Sequence, residues 1–167
     1  MKRVLFVPIF LLLCSISGCK SEQKIKFERI IFHTSICFGT CPVYHLEVND
    51  HKRVKLYAET VFKTDTDLYD EDHSKMGYFI GTVNNTTFTK LLNNIEQMGL
   101  DSIKFNNASC CDGSLITIIV YYNGKRKYLR SMFPPEKANK LISTLYEICG
   151  TNLKRSGTQF NIESEKK

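Results

Sequence analysis

The chain has 167 residues, of which 43% are hydrophobic and 24% are charged, and its formal net charge is +6. This length allows one ordinary domain, and the apolar content excludes a disordered chain. The sequence has no repeat of the kind that fibrous proteins show, so we expect a single compact domain.

The N-terminus has the pattern of a bacterial export signal. Lys2 and Arg3 precede an apolar run at residues 4–13, which is too short to span a bilayer stably. Small and polar residues follow, and the string Ile16-Ser17-Gly18-Cys19 resembles the lipobox, where a lipid is attached to the cysteine and the chain is cut before it. We therefore expect the chain to be exported from the cytoplasm.

This pattern predicts a signal peptide at residues 1–18, lipidation of Cys19 and a tether at residues 19–26. Cys14 is a rival lipidation site, but Leu13 before it is too bulky for the cleavage pattern. Several acyl chains attach a protein lastingly to a membrane. We therefore expect a cell-envelope domain that its lipid anchors to the outer membrane, with secretion without a lipid and an uncleaved anchor as alternatives.

Removal of the signal peptide also takes away Lys2 and Arg3, which lowers the formal net charge from +6 to +4. The remaining basic clusters lie near predicted turns, where they solvate strand edges. Nucleic-acid binding needs a basic patch and a compartment that contains nucleic acid. Export and the weak charge therefore argue against a nucleic-acid partner.

Four strands are predicted in the first half of the domain from alternating apolar residues, at 27–34, 43–48, 54–58 and 78–83. In the first strand, the alternation places Phe27, Arg29, Ile31 and His33 on one face. We predict that the acidic stretch at 63–77 is a solvated loop. A calcium site is disfavoured, because the stretch lacks the glycine and the glutamate of a calcium-binding loop.

The apolar period changes to three or four residues after Thr86, which predicts an amphipathic helix up to Met98. Asn85 or Thr86 is the expected N-cap, and Gly99 is the expected end of the helix.

The second half begins with a nearly continuous apolar run that predicts a strand buried on both faces. An Asn-Gly pair then predicts a hairpin turn, and a second helical stripe ends at a glycine. These elements are a strand at 115–122, the turn Asn123-Gly124, a strand at 125–130, a helix at 136–149 and a polar, disordered tail at 151–167.

Strand meanders that are each followed by a helix indicate the α+β class. We predict a mostly antiparallel sheet of about six strands with two amphipathic helices packed on it, in one domain at residues 27–150. The chain has no glycine-rich phosphate loop, no Gly-x-Ser-x-Gly elbow and no His-Glu-x-x-His motif. We therefore name no catalytic residue and no cofactor, and an enzyme is the less favoured class.

The most distinctive string is Cys37-Phe38-Gly39-Thr40-Cys41-Pro42-Val43-Tyr44, in which Gly39 permits a tight turn and Pro42 fixes the exit. With the following strand and Tyr57, it resembles the domain-of-unknown-function family numbered 6438, which comprises small exported bacterial domains often carried by lipoproteins. The resemblance implies the same fold layout and compartment, and it implies no activity. It does not explain the string Cys110-Cys111-Asp112-Gly113.

Five thiols remain once Cys19 is lipidated, so at least one is free, and Cys149 on the apolar stripe of the last helix is the natural candidate. Cys37, Cys41, Cys110 and Cys111 can pair in three ways, and structural disulfides are the favoured interpretation in an oxidising envelope. Free thiols, a four-sulfur metal site and a thiol catalyst remain as alternatives, because Cys-x3-Cys is neither a usual zinc pair nor a usual redox motif.

These features together predict an envelope lipoprotein that acts as a binding or structural module. Its partners are the membrane, through the N-terminal lipid, and an envelope protein or glycan that the sequence does not identify. The alternative is a thiol-dependent or metal-binding envelope enzyme that uses the same four cysteines.

Overall fold

The computed structural model describes residues 25–64 and 69–163. A single antiparallel sheet carries two helices on one of its faces. The strands are β1 (Phe27–Thr34), β2 (Val43–Asn49), β3 (Arg53–Thr60), β4 (Gly77–Thr82), β5 (Ile116–Tyr122), β6 (Lys125–Ser131) and β7 (Lys154–Arg155), and the helices are α1 (Asn85–Met98) and α2 (Asn139–Cys149).

The strand order across the sheet is β6-β5-β1-β2-β3-β4-β7, and all neighbours pair antiparallel. This confirms the predicted α+β class with two helices, and the sheet has seven strands instead of about six. The additional strand, β7, is a two-residue strand on the edge of β4.

A β-bulge at Glu28 changes the predicted faces of β1. Phe27 pairs with Tyr122 and Arg29 pairs with Tyr121, so one extra residue lies between them on β1. Because a bulge shifts the alternation by one residue, Phe27 lies on the helix side with Ile30. It packs edge-to-face on Phe88 of α1 and belongs to the core, whereas strict alternation had placed it on the other face.

The N-cap of α1 is Asn84, one residue before the first of the two predicted caps, Asn85 and Thr86. The Asn84 side chain accepts a hydrogen bond from the Thr87 amide at 2.8 Å, and Gly99 ends the helix with a φ of +71°. Asn84, Asn85 and Thr86 all have capping side chains, so residue type alone does not distinguish them. A 3-10 turn at Glu136–Ala138 precedes α2, where the periodicity had predicted continuous helix.

The central strands are buried on both faces. Ile118 and Val120 of β5 contact the core under the helices, while Thr117 and Ile119 point to the opposite face and are also fully buried. We call this opposite face the second face of the sheet. The predicted two-sided burial of the 115–122 run is therefore confirmed.

The segment after residue 150 has a defined course up to residue 163, unlike the disordered tail that its polar composition predicted. Arg155 in β7 donates to the carbonyl oxygens of Met76 and Ser74 at 2.8 and 2.9 Å, and Ser156 N–H donates to Tyr78. Hydrogen bonds and ion pairs hold this segment, and such contacts leave no apolar pattern in a sequence. We call residues 156–163, which continue onto the second face, the strap.

In the described part of the chain, no helix has the length and apolar character of a membrane span. The predicted signal peptide, Cys19 and nearly all of the predicted tether lie outside the described residues, as do residues 65–68 of the acidic loop and residues 164–167.

We predict that Leu91→Ala lowers the free energy of unfolding by about 2–5 kcal/mol, because Leu91 is fully buried in the core and its truncation leaves a cavity. Leu92→Ala is the matched control: Leu92 is its partly buried neighbour on α1, and its truncation costs less than about 2 kcal/mol. Urea denaturation measures both values, and equal losses would contradict this assignment of the core face.

Candidate functional site

The loop between β1 and β2 is closed by a disulfide bond between Cys37 and Cys41. Gly39 between them has a φ of +146°, a backbone conformation that side-chain-bearing residues rarely adopt. Of the bonds that the three possible pairings contain, the structure has the one within this loop, and Cys110 and Cys111 are free thiols. A metal site with four sulfur ligands requires all four cysteines as thiolates. In the bonded state, Cys37 and Cys41 are not thiolates and do not serve as such ligands.

The other two predicted sulfurs lie in the adjoining loop. Cys110 and Cys111 are exposed thiols whose sulfurs are 2.9 Å apart. Phe38 N–H donates to the Asp112 carbonyl at 3.0 Å, so the two cysteine loops are fastened together at one end of the sheet. The structure thus brings the two loops together and leaves their sulfurs in separate pairs.

Cys149 is buried at the end of α2, in the position that the apolar stripe indicated. Burial raises the pKa of its thiol, because an apolar environment disfavours the thiolate. Cys149 is therefore part of the packing of the core, where its thiolate is disfavoured.

A row of side chains crosses the second face at the same end of the sheet, and sequence reasoning missed it. Consecutive cross-strand partners on β5, β1, β2, β3 and β4 form the row: Thr117, His33, His45, Tyr57 and Tyr78. The rings of His45 and Tyr57 are stacked, as are those of Tyr57 and Tyr78, with centroids 5.6 and 4.5 Å apart. The alternation had placed His33 on this face, but only the register between strands shows which residues are neighbours.

The two histidines form the centre of a chain of hydrogen bonds. Their Nδ1 atoms are 2.8 Å apart, Nε2 of His45 is 3.0 Å from Glu59 Oε2, and Nε2 of His33 is 2.9 Å from the Glu163 carbonyl oxygen. Glu59 is the extra residue of a second bulge, between β2 and β3, and bulges re-aim side chains in this way.

The partners determine where the protons lie in this chain of hydrogen bonds. A carbonyl oxygen only accepts hydrogen bonds, so Nε2 of His33 carries a proton and donates to Glu163. In a neutral imidazole the other ring nitrogen is an acceptor, so Nδ1 of His33 accepts the hydrogen bond that Nδ1 of His45 donates.

The environment of His33 favours its neutral form. Burial, and then the electrostatic effect of His45, lower the pKa of His33 from 6.5 to about 4, so His33 is neutral at neutral pH. The hydrogen bond between the Nδ1 atoms thus joins a half-exposed histidine to a buried, neutral one. Such an arrangement suits either proton transfer or recognition of a polar ligand.

The strap completes the site. Phe160 packs edge-to-face on Tyr78 with ring centroids 5.1 Å apart, and Glu163 binds residues of β1, β5 and β6. A cavity of about 280 Å³ lies between the row and the strap residues Phe160, Asn161 and Ile162. His45 faces His33 and Glu59.

The acidic stretch forms local contacts in its described part. Lys63 pairs with Asp70 at 2.8 Å, and Asp72 accepts hydrogen bonds from Ser74 and pairs with Lys75. Hydrogen bonds from Ser74 and Lys75 lower the pKa of Asp72 to about 2. Among residues 25–64 and 69–163, no three His, Cys, Asp or Glu side chains are placed to hold a metal ion.

The described elements define a small α+β domain with one antiparallel sheet, two helices on one face and a row of histidines and tyrosines on the other. A family model described as a domain of unknown function, DUF6438, matches residues 28–150. The chain belongs to this family, which confirms the resemblance found in the sequence. No curated protein matches the chain significantly.

We expect iodoacetamide to alkylate Cys110 and Cys111 in the folded protein, because both thiols are exposed. Cys149 reacts only after unfolding, and Cys37 and Cys41 react only after reduction. Peptide mapping by mass spectrometry distinguishes the three classes. A disulfide between Cys37 or Cys41 and either of the other two would contradict this pairing.

The titration of His33 makes stability depend on pH. Between pH 6.5 and about 4 the unfolded chain binds more protons at His33 than the folded chain does, so the free energy of unfolding falls on acidification through this window. We expect a flatter pH profile in urea denaturation for His33→Gln than for the wild type. An NMR titration midpoint of His33 near 6.5 would contradict this prediction.

Proposed function

We propose that the protein is a bacterial cell-envelope lipoprotein whose folded domain is a binding module at the membrane surface. The observation that carries the proposal is the string Ile16-Ser17-Gly18-Cys19, which lies just ahead of a folded domain that begins with β1 at Phe27. The eight residues of the tether, 19–26, keep this domain close to the lipid.

The direction of β1 orients the domain relative to the anchor. The chain enters β1 at Phe27, and the disulfide-closed loop follows the other end of the strand. Eight residues of strand span about 26 Å. In this proposal the cysteine loops and the row of the second face therefore lie at the end of the domain away from the lipid, accessible to other envelope components.

Two features of this distal end support a binding role. Ile36 and Phe38 are 68% and 83% exposed, on a loop that the disulfide and the hydrogen bond to Asp112 hold in place. Exposed apolar side chains on a rigid loop are typical of interaction sites. The row on the second face adds polar and aromatic groups, which give such sites their specificity.

A thiol-dependent activity is the second candidate function, and the adjacent exposed thiols of Cys110 and Cys111 are the observation that favours it. The disulfide in the neighbouring loop limits this chemistry to two sulfurs in the bonded state. Metal analysis of the purified protein separates the candidates, because a stoichiometric soft metal ion bound through both thiols would favour the second one.

The anchor can be tested by labelling cells that express the protein with radioactive palmitate. We expect the wild type to incorporate the label and Cys19→Ala to lose it completely, because only the lipidated thiol starts the processing. Cys14→Ala is the matched control and retains the label. Label that persists in Cys19→Ala would overturn the proposed anchor site.

A further inference from the structure

The strap contacts the second face as a bound peptide contacts a receptor. The matched family domain ends at residue 150, and the strap follows it. After β7 the strap adds one backbone hydrogen bond to the edge strand, from Ser156 to Tyr78 at 2.7 Å, and then crosses the face as far as Glu163. The domain therefore supplies a surface, and a segment outside the matched region occupies it.

The Glu163 carboxylate lies in a receptor built by three strands. Arg29 and Tyr121 donate to Oε2 at 3.2 and 2.7 Å, and Arg126 donates to Oε1 through Nε and Nη2 at 3.0 and 2.9 Å. The Arg29 guanidinium also stacks on the Tyr121 ring, 4.1 Å from its centroid. Charge-assisted hydrogen bonds of this kind are specific for a carboxylate.

The remaining contacts involve the backbone of the strap and its aromatic side chain. His33 donates to the Glu163 carbonyl, and Tyr78 packs against Phe160, three positions before the glutamate. The strap thus presents to this face an aromatic residue that is followed three positions later by an acidic one.

The strap does not satisfy every polar group of this surface. Arg29 Nε and the Thr117 hydroxyl are buried and have no hydrogen-bond partner in the described part of the chain. A cavity of about 280 Å³ lies beside Phe160 and Ile162. Buried polar groups without partners cost stability, so a segment that reaches them would bind better than the strap.

We propose that the second face is a recognition site for a segment of a partner protein that carries an aromatic residue and, three positions later, a carboxylate, and that the strap occupies the site in cis. The proposal deepens the binding role proposed above and specifies the chemistry of the partner. A tethered segment competes at an effective concentration in the millimolar range. A partner segment must therefore bind more tightly than the strap, or the strap must first be released.

The test uses the full chain with a weakened strap, Phe160→Ala/Glu163→Gln, and a fluorescein-labelled peptide with the sequence of residues 156–163. We expect this variant to bind the peptide about tenfold or more tightly than the wild type, whose site is filled. Both this peptide and a version that ends in Gln instead of Glu are amidated at the C-terminus, and the Gln peptide should bind about tenfold to hundredfold more weakly, because it lacks the side-chain charge.

Arg126→Ala in the weakened-strap background should abolish peptide binding. Arg130→Ala, on the same face of β6 and outside the contacts of Glu163, is the matched control and should retain it. Equal binding by the wild type and the folded weakened-strap variant would overturn the proposal, as would an Arg126→Ala variant that still binds. Wild-type dimers formed by exchanged straps would also overturn it, because the partner would then be a second copy.

If the weakened-strap variant does not fold, hydrogen exchange on the wild type provides the test. Excess peptide should displace the strap and accelerate exchange of the Ser156 amide, which otherwise donates to Tyr78. Unchanged exchange at millimolar peptide would overturn the proposal. None of these measurements involves Cys19, so their failure is distinct from failure of the lipid anchor.

Discussion

The central strands β1 and β5 carry apolar side chains on both faces, and the rest of the fold depends on keeping water away from both. On one face, α1 and α2 provide this cover with their apolar stripes. On the other, Ile31 and Ile119 are fully buried without a helix above them. Glu163 lies over Ile31, because it binds both Arg29 and His33, the residues on either side of Ile31 along the same face.

The helices and the strap cover the two faces of the sheet through different interactions. This difference determines which of the two could be predicted from the sequence. A helix that covers a sheet needs an apolar stripe of regular period, so both helices were predictable from spacing. The strap covers the second face with a carboxylate, two backbone contacts and one aromatic ring. None of these has a period, which is why the polar composition at 151–167 predicted disorder, although contacts hold the described residues 154–163 in place. The apolar run at 115–122 did indicate that a second cover exists.

The candidate site could be predicted from the sequence only in part. The cysteine string and the face on which His33 lies follow from local sequence. The contact between His33 and His45 depends on the register of β1 against β2, and the approach of Glu59 depends on a bulge that adds one residue to β3. Register depends on the turn that connects two strands as well as on their apolar patterns, and a bulge shifts it by one residue, so the alternation within a single strand does not predict it.

The disulfide pairing has a related explanation. Cys37 and Cys41 lie in one turn, where the chain itself brings the sulfurs together, and the turn is made possible by Gly39. Cys110 and Cys111 are adjacent in sequence, and a bond between neighbouring cysteines is strained by the short chain between them. The sequence left three arrangements of two disulfides open, whereas the structure forms the bond within one loop and leaves Cys110 and Cys111 as thiols.

Charge balance links two arginines to the strap. Arg29 and Arg126 are both paired with Glu163. Departure of the strap would leave these two guanidinium groups without their shared carboxylate. Two cations close together on one face attract another carboxylate. The two arginines that bind Glu163 therefore also favour a negatively charged group in any segment that replaces the strap.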